Sequence, residues 1–103
     1  MKEPRLYERE FTVRRKLGLH ARPASQFVML AGCFESQISV GRGKEWVDGR
    51  SVLSLLSLAA CHGTRLRIRG VGVDAVEAVE ALGELLETAP EMGKGEVYPS
   101  ESG

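Results

Sequence analysis

The apolar residues of this chain change their spacing along its length, and that change limits the folds open to it. Between residues 7 and 15, Tyr7, Phe11 and Val13 fall on one parity, and Glu8, Glu10, Thr12 and Arg14 on the other. Alternation rich in aromatics predicts a strand with one buried face. Arg9 interrupts the apolar parity and points to an edge position or a bulge. From Ala21 the period lengthens. Ala24, Phe27, Val28 and Ala31 recur at the spacing of one helical face. Pro23 sits in the first turn of that helix, where its missing N–H removes no intrahelical bond. Gly32 marks the end. His20 is thereby placed at or next to the N-cap.

The same reading continues to the C-terminal side. Residues 35–41 predict a second strand with Ile38 and Val40 inward. Gly41-Arg42-Gly43-Lys44 reads as a turn, and residues 45–47 as a short third strand closing a hairpin. Ser51 caps a short helix in which Val52, Leu55, Leu56 and Ala59 share a face. Residues 64–70 form a fourth strand, with Leu66 and Ile68 inward and Arg65, Arg67 and Arg69 outward. Asp74, followed by Glu77, resembles a capping box. The helix behind it buries Ala75, Val79, Leu82 and Leu86 and leaves Glu77, Glu80, Glu84 and Glu87 at or near solvent.

The order β-α-β-β-α-β-α, with strands apolar on one parity, predicts an α+β fold whose sheet is covered by helices on one face and wet on the other. No internal repeat and no second domain is visible. Residues 1–88 are expected to make one domain, and the Gly-, Pro-, Ser- and Glu-rich residues 89–103 a disordered tail.

Charge and cysteine usage exclude several classes of function. Fourteen Lys and Arg balance 14 Asp and Glu in 103 residues, which argues against a nucleic-acid binder driven by bulk charge. The outward arginines are expected to pair with Glu8 and Glu10 across the sheet, without the interleaved aromatics a single-strand binder needs. No apolar run approaches the roughly 20 residues that span a bilayer. Lys2, Glu3, Pro4 and Arg5 do not open a signal peptide. The expectation is a cytosolic protein without a membrane partner. Cys33 and Cys61 are too few for a disulfide framework and are expected to be reduced, small core residues. The adjacent Cys61-His62 pair lacks zinc-ligand spacing, so no metal is expected.

His20 is where the chemistry concentrates. A helix start leaves backbone N–H groups unpaired and carries partial positive charge, which together favour an anion. Arg22 adds a guanidinium able to hold phosphate oxygens. A neutral imidazole at that point has a free lone pair and is a competent nucleophile toward phosphorus. The phosphate so formed would face the N–H groups of Ala21 and Arg22 and the Arg22 side chain. Taken alone, a histidine before a helix is more often a plain cap or surface residue. No Ser-His-Asp set can be assembled from the spacing.

Gly18-Leu19-His20-Ala21-Arg22-Pro23-Ala24-Ser25 resembles the active-site signature of the HPr family, the small phosphocarriers of the bacterial phosphoenolpyruvate-dependent phosphotransferase system. A second segment, Arg50 to Ala59, resembles the family's regulatory-serine region, and Ser51 follows His20 at the family's spacing. The resemblance spans residues 11–87. It implies an open-faced β-sandwich, four antiparallel strands in the order 1-4-2-3 with three helices on one face. It implies that enzyme I phosphorylates His20, at Nδ1, and that the group passes to an EIIA-type domain. No cofactor is implied. Ser51 corresponds to the serine that an HPr kinase/phosphorylase modifies in many members. By position, Ser25, Val52, Leu53 and Leu56 would form the docking surface, with Leu53 off the buried face. A carrier meeting two partners in turn is expected to be a monomer.

Three features go beyond that pattern: Trp46, the tail, and Arg14-Arg15-Lys16, whose charge could steer acidic partners or merely be solvated. Two other readings stay open. One is a mainly regulatory protein signalling through His20 or Ser51 phosphorylation rather than serving sugar transport. The other is a binding module in which His20 is only a cap.

Overall fold

Seven elements follow one another in the computed structural model, which describes residues 3–88. They are β1 (Arg5–Thr12), α1 (Ala21–Ala31), β2 (Gln37–Arg42), β3 (Glu45–Asp48), α2 (Val52–Ser57), β4 (Arg65–Gly72) and α3 (Ala75–Glu87). The strands form one antiparallel sheet in the order β1-β4-β2-β3, as the resemblance implies. The expectation of a disordered tail at 89–103 lies outside the described residues.

One face of the sheet carries Phe11, Ile38, Val40, Leu66 and Ile68, all buried beneath the helices. Phe27 on α1, Leu55 on α2, and Val79, Leu82 and Leu86 on α3 close over them. Full burial of each such side chain contributes about 1.5–3 kcal/mol relative to leaving it in water. Helix α3 lies so close to β1 that Gly83 has no room for a side chain. An added Cβ would sit 2.1 Å from Cε1 of Phe11.

The outer face carries the ion pairs expected of it. Glu8 lies opposite Arg69, with Oε1 3.0 Å from Nε, and Glu10 reaches diagonally to Arg65 at 4.0 Å. The expectation that this face lacks aromatics is corrected. Trp46 lies flat across Gly41, the residue opposite it on β2, with its ring over the place where a Cβ would stand. The guanidinium groups of Arg69 and Arg67 lie 4.1 and 4.7 Å from its ring centre. Arg67 also donates to the Gly43 carbonyl. The row of arginines is thus engaged within the chain.

Arg9 makes no bulge. The register of β1 is continuous, and β1 is an edge strand. Its guanidinium lies 4.7 Å from the centre of the Phe11 ring and donates to both oxygens of Glu80, at 2.6 and 2.8 Å. Tyr7 donates its hydroxyl to the same carboxylate at 2.6 Å. The Tyr7 hydroxyl, then Arg9, hold the Glu80 carboxyl below its ordinary range. Glu80 is therefore a bonded half-buried residue rather than a purely solvated one. Glu87 also has a role, accepting the Thr12 N–H at 3.1 Å.

Several expectations change at element ends. β1 stops at Thr12, before residue 15, because Val13 N–H turns to the Thr64 carbonyl and Arg14 N–H to that of Leu86. β2 begins at Gln37 rather than residue 35. The Asp74 carboxylate accepts from the N–H of Glu35 (2.9 Å), the N–H of Ser36 (3.0 Å) and the buried Ser36 hydroxyl (2.5 Å). Asp74 therefore does not cap its own helix through its side chain. The Ser36 hydroxyl above all, with the Glu35 N–H, lowers its carboxyl pKa. Helix α2 ends at Ser57, so Ala59 is not on a helical face. It is exposed, with φ +52°, and Leu58 and Ala60 are buried in its stead. Both cysteines are exposed rather than in the core. Cys33 stands past the end of α1, and Cys61 in the loop before β4.

Candidate functional site

The chain reaches His20 through a turn that only glycine fits. Gly18 N–H donates to the Arg15 carbonyl at 2.9 Å, and Gly18 takes φ +78°. A Cβ there would also lie 2.4 Å from the Ala60 oxygen. Leu19 is buried, and its N–H donates to that same Ala60 oxygen at 2.9 Å. The residue just before His20 is thus anchored both in the core and to the α2–β4 loop.

His20 follows in an extended conformation, φ −100° and ψ −167°, as the N-cap of α1. Its carbonyl accepts the Ala24 N–H at 2.9 Å, but its imidazole makes no capping hydrogen bond. The ring is exposed. The backbone N–H groups of Ala21 and Arg22 precede the first possible intrahelical bond, and Pro23 has none to give. No acidic residue stands in the first turn to neutralise the positive end of the helix. Arg22 is exposed beside it, and so are Ala21 and Ser25. Arg14 and Lys16 are exposed on the approaching loop, whereas Arg15 donates its Nε–H to the Leu85 carbonyl at 3.2 Å. The basic approach is therefore only partly a solvated feature.

Helix α2 packs beside α1. Ser51 is its N-cap, and the Ser51 hydroxyl oxygen accepts the Ser54 N–H at 3.1 Å. Ser51 is half-buried, as are Val52 and Leu56, while Leu53 is 79% exposed. Two further apolar residues of this region stand in water, Leu17 at 77% and Met29 at 74%. Sequence reasoning passed over them. Met29 could have been found by the argument that singled out Leu53, since it lies off the Ala24-Phe27-Val28-Ala31 stripe. Leu17, a loop residue, had no periodic signal.

Residues 7–88, nearly everything the structure describes, match the family model described as PTS HPr component phosphorylation site. The chain belongs to the HPr family. Phosphocarrier protein HPr of Pseudomonas putida is 44% identical over 79 residues, covering 76% of this chain and 88% of that protein. The crystal structure of the phosphocarrier protein HPr from Bacillus anthracis superposes with a TM-score of 0.76 at 34% identity, covering 79% of this chain and 96% of that one. The Multiphosphoryl transfer protein of Salmonella typhimurium, a much longer chain, matches over 90 residues at 39% identity, covering 84% of this chain and 23% of its own length. As a member of the HPr family the chain is a phosphocarrier of the phosphotransferase system. Among the described residues, no helix is long and apolar enough to cross a membrane.

Proposed function

We propose that His20 takes a phosphoryl group from phosphorylated enzyme I and hands it to a histidine of an EIIA-type domain. The Nδ1 lone pair of His20 attacks phosphorus as the bond to the enzyme I histidine breaks. A P–N bond forms, a P–N bond is lost, and the reverse exchange with the acceptor restores the free ring. Arg22 holds the phosphate oxygens during both steps, and the N–H groups of Ala21 and Arg22 face the bound group. Each charge-assisted hydrogen bond contributes on the order of 1–3 kcal/mol. That holds the group without burying it, as a carrier requires.

The observation that carries this reading is the exposed imidazole at the start of α1, free of any capping bond. The rival reading of His20 as a cap gains no support from its side chain, since the imidazole makes no capping hydrogen bond to the helix. The Salmonella relative, a Multiphosphoryl transfer protein by name, contains a stretch like this chain within a longer protein. That fits a domain serving as one station in a chain of phosphoryl exchanges. Docking falls to Ser25, Val52, Leu53 and Leu56, extended by Leu17 and Met29. Leu17, Met29 and Leu53 offer strongly exposed apolar surface for a partner to cover. The working state is a cytoplasmic monomer that presents one face to two partners.

Ser51 offers a second, regulatory site for an HPr kinase/phosphorylase. A phosphate there would add nearly two negative charges at the first turn of α2, beside the docking residues. It would weaken docking to a partner that reads this face. The deciding experiment is incubation with enzyme I and phosphoenolpyruvate. The wild type should gain an acid-labile phosphate and His20→Ala should not, while keeping its fold. Phosphorylation of His20→Ala would place the acceptor elsewhere.

A further inference from the structure

We propose that Arg42 is a positioning residue for His20, acting through the α2–β4 loop. Arg42 is the last residue of β2; it pairs with Glu45 of β3 and follows Gly41, which is paired to both Trp46 of β3 and Arg67 of β4. Its Nη1 donates to two successive carbonyls, Leu58 at 2.8 Å and Ala59 at 2.9 Å. These stand just past α2, where a helix end leaves carbonyls without intrahelical partners. Ala59, between Leu58 and Ala60, takes the left-handed φ of +52°. A residue with a Cβ enters that region at a cost of about 1–2 kcal/mol. Contacts beyond the residue itself offset that cost: the buried Leu58 and Ala60 side chains on either side, and the two hydrogen bonds forked from Arg42 Nη1.

The next carbonyl is the one that matters to the site. Ala60 O accepts the Leu19 N–H at 2.9 Å, and a Cβ on Gly18 would lie 2.9 Å from Cα of Cys61. The loop's downstream end is anchored separately. Gly63 N–H donates to the Val13 carbonyl at 2.7 Å, Val13 N–H to that of Thr64 at 2.9 Å, and Cys61 N–H to the Thr64 hydroxyl at 3.0 Å. At the upstream end Ala59 N–H donates to the Leu56 carbonyl at 3.0 Å and the Cys61 thiol lies 3.7 Å from the Ala59 oxygen, and the side chain that reaches in from another element is Arg42. The path runs from the Arg42 guanidinium to the Leu58 and Ala59 carbonyls, to Ala60, to Leu19, and to the backbone of His20. Loss of the fork frees Ala59 to relax and moves the Ala60 oxygen that fixes Leu19. The imidazole then loses its preset direction toward an incoming phosphorus.

The inference rests on His20 being the phosphoryl acceptor, and one of its two readouts does not depend on that. Arg42→Ala and Arg42→Lys would be compared with the wild type by amide hydrogen exchange at Leu19 and by steady-state transfer from phosphorylated enzyme I. In Arg42→Ala, Leu19 should exchange at least about tenfold faster, the signature of local opening. Transfer kcat should fall about tenfold with the KM for the carrier unchanged, since misplacement of about an ångström is worth that much or more. Arg42→Lys keeps the charge and a nitrogen with several donors but not the fixed in-plane direction of the two Nη1 N–H bonds, and should fall between the two. A lower Tm with wild-type Leu19 exchange and wild-type kcat would overturn the proposal. If Arg42→Ala does not fold, the lysine variant decides. Intermediate exchange and kcat support the proposal, and wild-type values for both overturn it. A wild type that accepts no phosphate would refute the phosphocarrier role of His20, and Leu19 exchange would still decide whether Arg42 holds the loop.

Discussion

Gly83→Ala sets two effects of opposite sign against each other. Gly83 lies inside α3, where replacing glycine with alanine normally stabilises a helix by about 1 kcal/mol. The added methyl would stand 2.1, 2.2 and 2.5 Å from Cε1, Cζ and Cδ1 of Phe11. Carbon atoms rest about 3.5–4.0 Å apart, so ring or helix must retreat by more than an ångström. Phe11 is 3% exposed, lies at the sheet edge under α3, and has the Arg9 guanidinium 4.7 Å from its ring centre. Rotating the ring away would break that stack, and Arg9 is tied to Glu80 on α3. Overpacking of this kind costs typically 1–3 kcal/mol, and a contact this short belongs at the upper end or beyond. After the helix gain of about 1 kcal/mol, the net expectation is a loss of about 2 kcal/mol. For a domain of this size that lowers Tm by about 10 °C. Thermal and urea unfolding followed by circular dichroism would measure it. A Phe11→Leu background should recover part of the loss, giving a favourable coupling in the double-mutant cycle. An increase in stability of about 1 kcal/mol, with no coupling to residue 11, would refute the close approach of α3 to β1.

Three further expectations follow from the same geometry. Ser51→Ala removes the oxygen that accepts Ser54 N–H and should cost about 1 kcal/mol in urea unfolding. The variant should still accept phosphate at His20, and failure to do so would tie Ser51 to the acceptor site. Arg22→Ala should slow transfer from enzyme I while leaving Tm within a degree or two of the wild type, because the side chain is exposed. Unchanged transfer would remove its assigned role. The Asp74 carboxyl pKa is lowered in the folded chain from an ordinary value of 3.8. Its contribution to stability is therefore complete above that value and is lost as pH falls toward the folded pKa. Asp74→Asn should be less stable at neutral pH and show a shallower decline below about pH 4, keeping only the share due to Glu80 and other carboxylates. Identical acid limbs for the two proteins would contradict the clamp.

What the sequence made legible was whatever periodicity or a local motif encodes. The alternation of Phe11 and Val13, the stripe through Ala24 and Phe27, and the capping role of Ser51 all appear in the fold. His20 stood out as the candidate acceptor because a histidine, an arginine and a proline stand together at a helix start. What escaped was decided by residues distant in sequence. Asp74 looked like a cap for α3 until Ser36, 38 positions away, competed for its carboxylate. Arg9 looked like a flaw in a strand until Glu80 approached from α3. Trp46 reaches the arginines only because the residue opposite it on β2 is glycine. Ala59 left the helical face because the chain had to turn toward Val13, and Arg42 holds that turn from another strand. Both cysteines followed turns whose exposure no apolar pattern announces.

The proposed carrier role stands or falls with His20 as the residue that takes the phosphoryl group. The direct measurement is ³¹P and ¹⁵N NMR of the purified protein after incubation with enzyme I and phosphoenolpyruvate. One acid-labile phosphohistidine is expected, with the ¹⁵N shift of a single ring nitrogen of His20 changed and no new signal at His62. A folded protein that stays unmodified beside active enzyme I, or that carries its phosphate on another residue, would contradict it.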